Sequence, residues 1–230
     1  MYTSPHLISP CERVTVAGVP ITEDAFAAWT TQLKSHIERL EASFFEATTA
    51  IAFADLAARG VDVAVIEVGL GGRLDATNVI TPLASVVTKI ALEHTDYLGT
   101  DLKGIAREKA GIAKAGVPFV TGEPEAGLRD ELVREAKRRG ADPVILVDTN
   151  RSMSFRAPLP APRLGLRGRH QVANAWVALE TLNQLRAPFG EVGESFPASF
   201  ADAYVPGRFD VRGKWIFDVA HNPDGMRVLV

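Results

Sequence analysis

A single cysteine, Cys11, stands in a chain of 230 residues. An internal disulfide and a cysteine-built zinc site are therefore excluded, and a reducing compartment is the natural setting. Aromatic residues make up only 7% of the chain, and no apolar run approaches the length that spans a bilayer. The N-terminal MYTSPHL has neither the basic start nor the apolar core of a secretory signal, so the cytoplasm is the expected location and no membrane role is expected. Neither sign of charge dominates: the net charge is −3, which favours neither nucleic acid nor an anionic surface as partner. No internal repeat, low-complexity tract or Gly-Lys-Ser/Thr phosphate loop occurs anywhere.

What is present is a core. Hydrophobic residues reach 47% and charged residues 23%, as in a globular protein of one or two domains. RVTVAGVPI (13–21) alternates about a glycine and predicts a short hairpin. Thr22 caps a predicted helix whose Phe26, Trp29, Leu33, Ile37 and Leu40 form one stripe, and a second helix over about 43–59 stops at Gly60. VDVAVIEV (61–68) is a near-continuous apolar run, the pattern of a parallel strand covered on both faces. Strand 84–90, helix 101–115, strand 117–121, helix 127–139 and strand 143–147 then alternate, which predicts βαβ units and an α/β sheet. Residues 151–168 read as irregular, a helix runs from about 170 to 186, and Pro206-Gly207 marks a boundary before a strand over 214–219 and a helix opening at Pro223.

Chemistry concentrates where predicted strands end. Glu67 closes the apolar run, at the carboxyl edge where open α/β sheets bind ligands; the alternative is an ordinary surface carboxylate. GLGGR (69–73) allows close backbone approach to a ligand, or is simply a tight turn, and Arg73, Asp75, Thr77 and Asn78 make the loop densely polar. His94 follows the next strand in EHTDYLG, as a ligand or as an ordinary loop histidine. Lys109 shares a helix face with Leu102, Ile105 and Ile112. Burial there would favour its neutral, reactive amine, whereas a snorkelling lysine would keep its head in water. His170 and Asn174 are spaced to project together from the start of a helix, and Arg208, Asp218 and His221 gather around the later strand.

Seven strings in order, TSPHL (3–7), EVGLGGRLDATN (67–78), LEHTDYLG (92–99), IAREKAGIAKAG (105–116), GRHQVANA (168–175), PGRF (206–209) and FDVAHNP (217–223), resemble the folylpolyglutamate synthase and dihydrofolate synthase family, relatives of the Mur peptide ligases. The resemblance implies an α/β, Mur-ligase-like central domain over 1–204, a mostly parallel sheet flanked by helices, followed by the beginning of a C-terminal α/β ligase domain over 205–230. It implies ATP as co-substrate, Mg²⁺ and a second divalent ion, L-glutamate, and dihydropteroate or tetrahydrofolate as acceptor, in a monomer. On this likeness Glu67, His94, Ser4 and a carbamate of Lys109 are the metal ligands, with Lys109, His94 and Arg73 catalytic. Asn174, Arg208, Asp218 and His221 match nucleotide-contacting positions, and Thr3, Ser4, Pro5, His6 and Asp75 match the pterin side.

The family pattern carries a first strand and a Gly-Thr-Asn-Gly-Lys loop ahead of TSPHL, and here only Met1 and Tyr2 precede it. The expectation is a central ligase segment, incomplete at both ends and inactive alone. The competing expectations are a non-catalytic folate- or partner-binding descendant and a Mur-type ligase for another amino acid.

Overall fold

A computed structural model describes residues 1–149, 164–185, 196–220 and 225–227. They fall into two compact units, Met1–Thr81 and Pro82–Val230, each with its own apolar core.

In the first unit Ser9 and Glu12 form a capping box around a 3₁₀ turn, Pro10–Arg13. β1 (Thr15–Val16) and β2 (Val19–Pro20) pair antiparallel as the alternation predicted. Both residues of their tight turn, Ala17 and Gly18, have positive φ, which matches the twist of the flanking strands. Thr22 caps α1 (Glu23–Arg39), and Ser43 with Glu46 caps α2 (Phe44–Ala58). Phe26, Trp29 and Leu33 of α1 pack on a core of Tyr2, Val14, Ile21, Ile51, Ala52 and Leu56. The predicted stripe stops short of Leu40, which is exposed beyond the last turn.

Residues 61–68 depart from expectation. They belong to no sheet, and Ile66 makes a single parallel bridge to Tyr2. The Tyr2 N–H donates to the Val65 carbonyl at 2.8 Å and the Glu67 N–H to the Tyr2 carbonyl at 2.9 Å. Val63 and Val65 are 46% and 65% exposed. An apolar run reports that a strand suits burial; a ladder also needs neighbours, and composition says nothing about who they are.

In the second unit the alternation is realised. β3 (Ser85–Val87), β4 (Phe119–Thr121) and β5 (Val144–Leu146) form a parallel sheet in that order. A short α3 (Thr95–Leu98) and then α4 (Leu102–Ala110) cross from β3 to β4, and α5 (Ala126–Arg138) crosses from β4 to β5. Phe119, Ile105 and Leu132 are fully buried at the centre of this core. Each such side chain contributes about 1.5–3 kcal/mol by leaving water. α6 (Arg169–Gln184) and α7 (Phe196–Ala201) follow. β6 (Asp210–Arg212) and β7 (Trp215–Phe217) form an antiparallel hairpin, so the strand expected near 214–219 is partnered by a preceding strand that the pattern did not reveal. The helix expected at Pro223 begins outside the described residues. No described helix is long and apolar enough to cross a membrane.

The buried Glu135 carboxylate of α5 accepts two hydrogen bonds from Arg138, each 2.7 Å, and one from Arg139 at 2.9 Å. The Arg138 bonds are the largest cause, with Arg139 assisting and burial opposing, of a carboxyl held below its ordinary value of 4.5. Its stabilising contribution is complete above that unfolded value and is lost as pH falls through the lower folded one. Thermal midpoints followed from about pH 6 down to about pH 3 should therefore fall less steeply for Glu135→Gln than for the wild type.

Candidate functional site

Within the first unit, the segment 3–6 and the loop 67–78 come together around Glu67. The Ser4 N–H donates to Glu67 Oε2 at 2.7 Å across 63 residues of sequence, and the Thr3 N–H donates to the Arg13 carbonyl at 2.9 Å. The Arg13 Nε–H donates to His6 Nδ1 at 2.9 Å, and both side chains lie against Phe44, the guanidinium 5.2 Å from its ring centre. Pro5, between Ser4 and His6, is exposed.

The glycine-rich loop is closed by its own residues. Asp75 Oδ2 accepts the N–H groups of Gly69 and Leu70 at 3.1 and 2.9 Å, and Oδ1 accepts the N–H of Thr77 at 2.9 Å and its hydroxyl. The Asn78 side-chain amide donates to the Arg73 carbonyl at 3.0 Å. Gly69 lies so close to Phe45 that a Cβ would sit 2.6 Å from ring atom Cε2, so the close approach requires glycine. Arg73 and Leu74 are exposed on the loop. Asp75, expected from the resemblance on the substrate side, has both oxygens turned to the loop itself.

In the second unit, the segment after β3 carries Glu93 and His94. His94 adopts the left-handed conformation, φ 48°, and precedes α3 without a side-chain cap bond. That backbone conformation costs a non-glycine residue roughly 1–2 kcal/mol. Lys109 of α4 is half-buried, and its ammonium is paired with Glu93, with side-chain exposures of 21% and 28%. The inward reading and the snorkelling reading of Lys109 are thus both partly right: the stem is covered and the head finds a carboxylate rather than water. The sequence pattern missed Glu93, which lies on no apolar stripe; its position beside His94 was the available signal.

Further along the same unit, the exposed Asn174 donates from Nδ2 to Gln171 Oε1 at 3.1 Å. His170 is half-buried, and its Nδ1 has no hydrogen-bond partner among the described residues. Burial is the largest cause lowering the His170 pKa; Arg208 and Lys89 add to it and Asp218 opposes it. Asp218 Oδ2 accepts the Phe209 N–H and Oδ1 the Ala220 N–H, both at 2.8 Å, which ties the PGRF turn to the end of β7. Arg208 is exposed on that turn, and His221 lies outside the described residues.

Among the described residues, no cluster of three or more His, Cys, Asp or Glu is arranged to hold a metal ion. The donor chemistry of the expected ligands is nonetheless informative. Glu67 accepts the Ser4 N–H through Oε2 only, among the described residues, and the His94 side chain caps no helix; a carboxylate oxygen and an imidazole nitrogen both suit a hydrated divalent ion. Lys109 does not, because an ammonium paired with a carboxylate has no lone pair to offer; only after conversion to an anionic carbamate would it become an oxygen donor.

No protein-family model matches the sequence. The dihydrofolate synthase/folylpolyglutamate synthase of Escherichia coli K12 is 38% identical over 244 residues, an alignment covering 100% of this chain and 56% of that protein. The solved structure of E. coli FolC in complex with DHPP and ADP superposes with a TM-score of 0.84 at 34% identity, covering 99% of this chain and 56% of the other. An FPGS–AMPPCP–folate complex superposes with a TM-score of 0.88 at 30% identity, covering 99% and 62%. The chain thus spans 56–62% of the length of these relatives.

Proposed function

The chain belongs to the folylpolyglutamate synthase/dihydrofolate synthase family, and from that membership we propose that it works in an ATP-dependent ligase joining L-glutamate to dihydropteroate and to folates. The observation that carries this reading is the superposition of nearly the whole chain on a relative holding an ATP analogue and folate together. Residues 1–204 would supply the central nucleotide- and pterin-facing part and 205–230 the start of the glutamate-side domain, in a cytoplasmic monomer.

The proposed reaction has two steps. A pteroyl carboxylate oxygen attacks the γ-phosphorus of ATP and releases ADP. The glutamate ammonium first loses one proton; the neutral amine then attacks the acyl carbon, the bond to the phosphate oxygen breaks, and the second proton leaves with the phosphate, giving an amide. When bound, Mg²⁺ neutralises charge on the transferring phosphoryl group and on the carboxylate approaching it. Glu67 and His94 would hold that ion, with the Ser4 N–H fixing the Glu67 carboxylate. Lys109 would join them as a carbamate, formed when its amine, released from Glu93 and neutral, adds CO₂ and loses a proton, and a second divalent ion belongs to the same proposal. Arg73, exposed on the Asp75-organised loop, would meet the developing negative charge. Thr3, Pro5 and His6 would line the pterin side. On the nucleotide side, Asn174 would face the adenine, Arg208 the phosphates, and His221 the nucleotide as well. Asp218, by holding the turn that carries Arg208, would set where that guanidinium points.

The test is ADP release by the polypeptide as its gene encodes it, with ATP, Mg²⁺, glutamate and either dihydropteroate or tetrahydrofolate. Release should require glutamate and a pteroyl acid together. Release driven by a different amino acid would assign a Mur-type activity, and binding of folate without turnover would assign a non-catalytic descendant; either outcome defeats the proposal.

A further inference from the structure

Glu123 lies two residues past β4, at the carboxyl end of the parallel sheet, and is only 2% exposed. No side-chain cation pairs with it among the described residues. Its oxygens instead accept backbone N–H groups: Oε2 from Ile90 at 2.6 Å and Oε1 from Glu125 at 2.8 Å. Burying a carboxylate is unfavourable, and two backbone bonds only partly offset the loss of water. An apolar side chain would avoid that penalty but would leave the Ile90 and Glu125 N–H groups without their acceptor, so the role of the carboxylate lies in those two bonds.

The two N–H groups identify that role. Glu125 caps α5 by accepting the Gly127 and Leu128 N–H groups, so it is fixed to a rigid element. Ile90 begins the segment that leads to Glu93 and His94. The far end of that segment is held where the Tyr97 and Leu98 N–H groups donate to the His94 carbonyl at 2.9 and 3.0 Å. Its middle is held by the Glu93–Lys109 pair. Left-handed backbone at a non-glycine residue persists only where its surroundings over-determine it. The Glu123–Ile90 bond is the anchor on the upstream side.

We propose that Glu123 is a positioning residue: by binding the Ile90 N–H it holds the segment that carries Glu93 and presents His94 to a divalent ion. This role rests on the proposed reading of His94 as a metal ligand. Glu123→Gln keeps the size but removes the charge and turns an amide NH₂ toward one of the two donors, so the Ile90 bond is either broken or reduced to a weaker, neutral one. Glu123→Asp keeps the charge but is one methylene too short to reach both.

The experiment follows Mn²⁺ binding by electron paramagnetic resonance and amide hydrogen exchange at Ile90, in the absence of ATP. Leu132→Ala, on the fully buried face of α5, serves as a destabilised control. Glu123→Gln should speed exchange at Ile90 and weaken Mn²⁺ binding by about fivefold or more, while Leu132→Ala should bind Mn²⁺ as the wild type does. Faster exchange at Ile90 with unchanged Mn²⁺ affinity overturns the positioning role and leaves the metal reading standing. Equal weakening in Leu132→Ala also overturns it, since instability alone would then explain the loss. A wild type that binds no Mn²⁺ overturns the metal reading of His94 and the positioning role with it. Should Glu123→Gln fail to fold, Glu123→Asp decides by the same measurements.

Discussion

In the polypeptide as its gene encodes it, Lys109→Ala should cut glutamate-dependent ADP release by about 10²–10³-fold, the range found when one group aimed at transition-state charge is removed. The fold should barely notice. The Lys109–Glu93 pair is a quarter exposed and makes a single ion contact, so its loss should cost about 1 kcal/mol. In a chain of this size that lowers the thermal midpoint by roughly 2–4 °C. The combination of a large kinetic loss with a small stability loss separates a chemical role from a packing role. Small additives then identify the form in which the lysine works. Acetate, a stand-in for the carbamate oxygens, should restore part of the turnover of Lys109→Ala, whereas methylammonium should restore it if the ammonium acts directly. Turnover equal to that of the wild type would remove Lys109 from the mechanism altogether. The pair also makes a demand on Glu93: it must release Lys109 before any carbamate forms, so Glu93→Gln should not reproduce the loss seen in Lys109→Ala.

The parts of this molecule legible in its sequence are those governed by local periodicity. The βαβ alternation of the second unit was readable because Val86, Val120 and Ile145 sit in short apolar runs, each separated from the next by a helix with a distinct buried stripe. Helix ends were readable where a cap residue lies beside them, as at Thr22 and Ser43. α4 stops at Ala110, although a helix to 115 was expected, because Gly111 ends it and the apolar spacing of Ile112 continues into a turn. Long-range pairing was not legible. Nothing near residues 61–68 indicates that Tyr2 is the neighbour, and nothing near Glu123 indicates Ile90, 33 residues earlier. The juxtaposition of Ser4 and Glu67 came from a family resemblance, since no spacing rule connects residues so far apart. The rule that placed weight on Glu67, a carboxylate just past a strand, applies equally to Glu123 and would have found it.

Asp75 is matched by the resemblance to the substrate side, while its oxygens bond within the loop, and its replacement should give the largest stability loss of any residue in that loop. It accepts three backbone N–H groups and one hydroxyl within the loop 69–77. Bonds to a charged acceptor contribute about 1.5–3 kcal/mol each when measured singly, and those sharing one acceptor overlap. Asp75→Ala leaves buried donors, including that of Thr77, without partners and should destabilise by about 3 kcal/mol or more, lowering the midpoint by roughly 6–12 °C. Asp75→Asn should be milder. Its oxygen can keep Gly69 and Leu70 while its NH₂ donates to the Thr77 hydroxyl, so only the Thr77 backbone bond is lost, at about 1 kcal/mol. A side chain that contacted the substrate directly would behave differently: Asp75→Asn would raise the KM for the pteroyl acid while the midpoint stayed within a degree or so of the wild type. Turnover and midpoint falling in step, with alanine far worse than asparagine, is the outcome the hydrogen-bond geometry requires. The opposite pattern would return Asp75 to the substrate and leave the loop without its organiser.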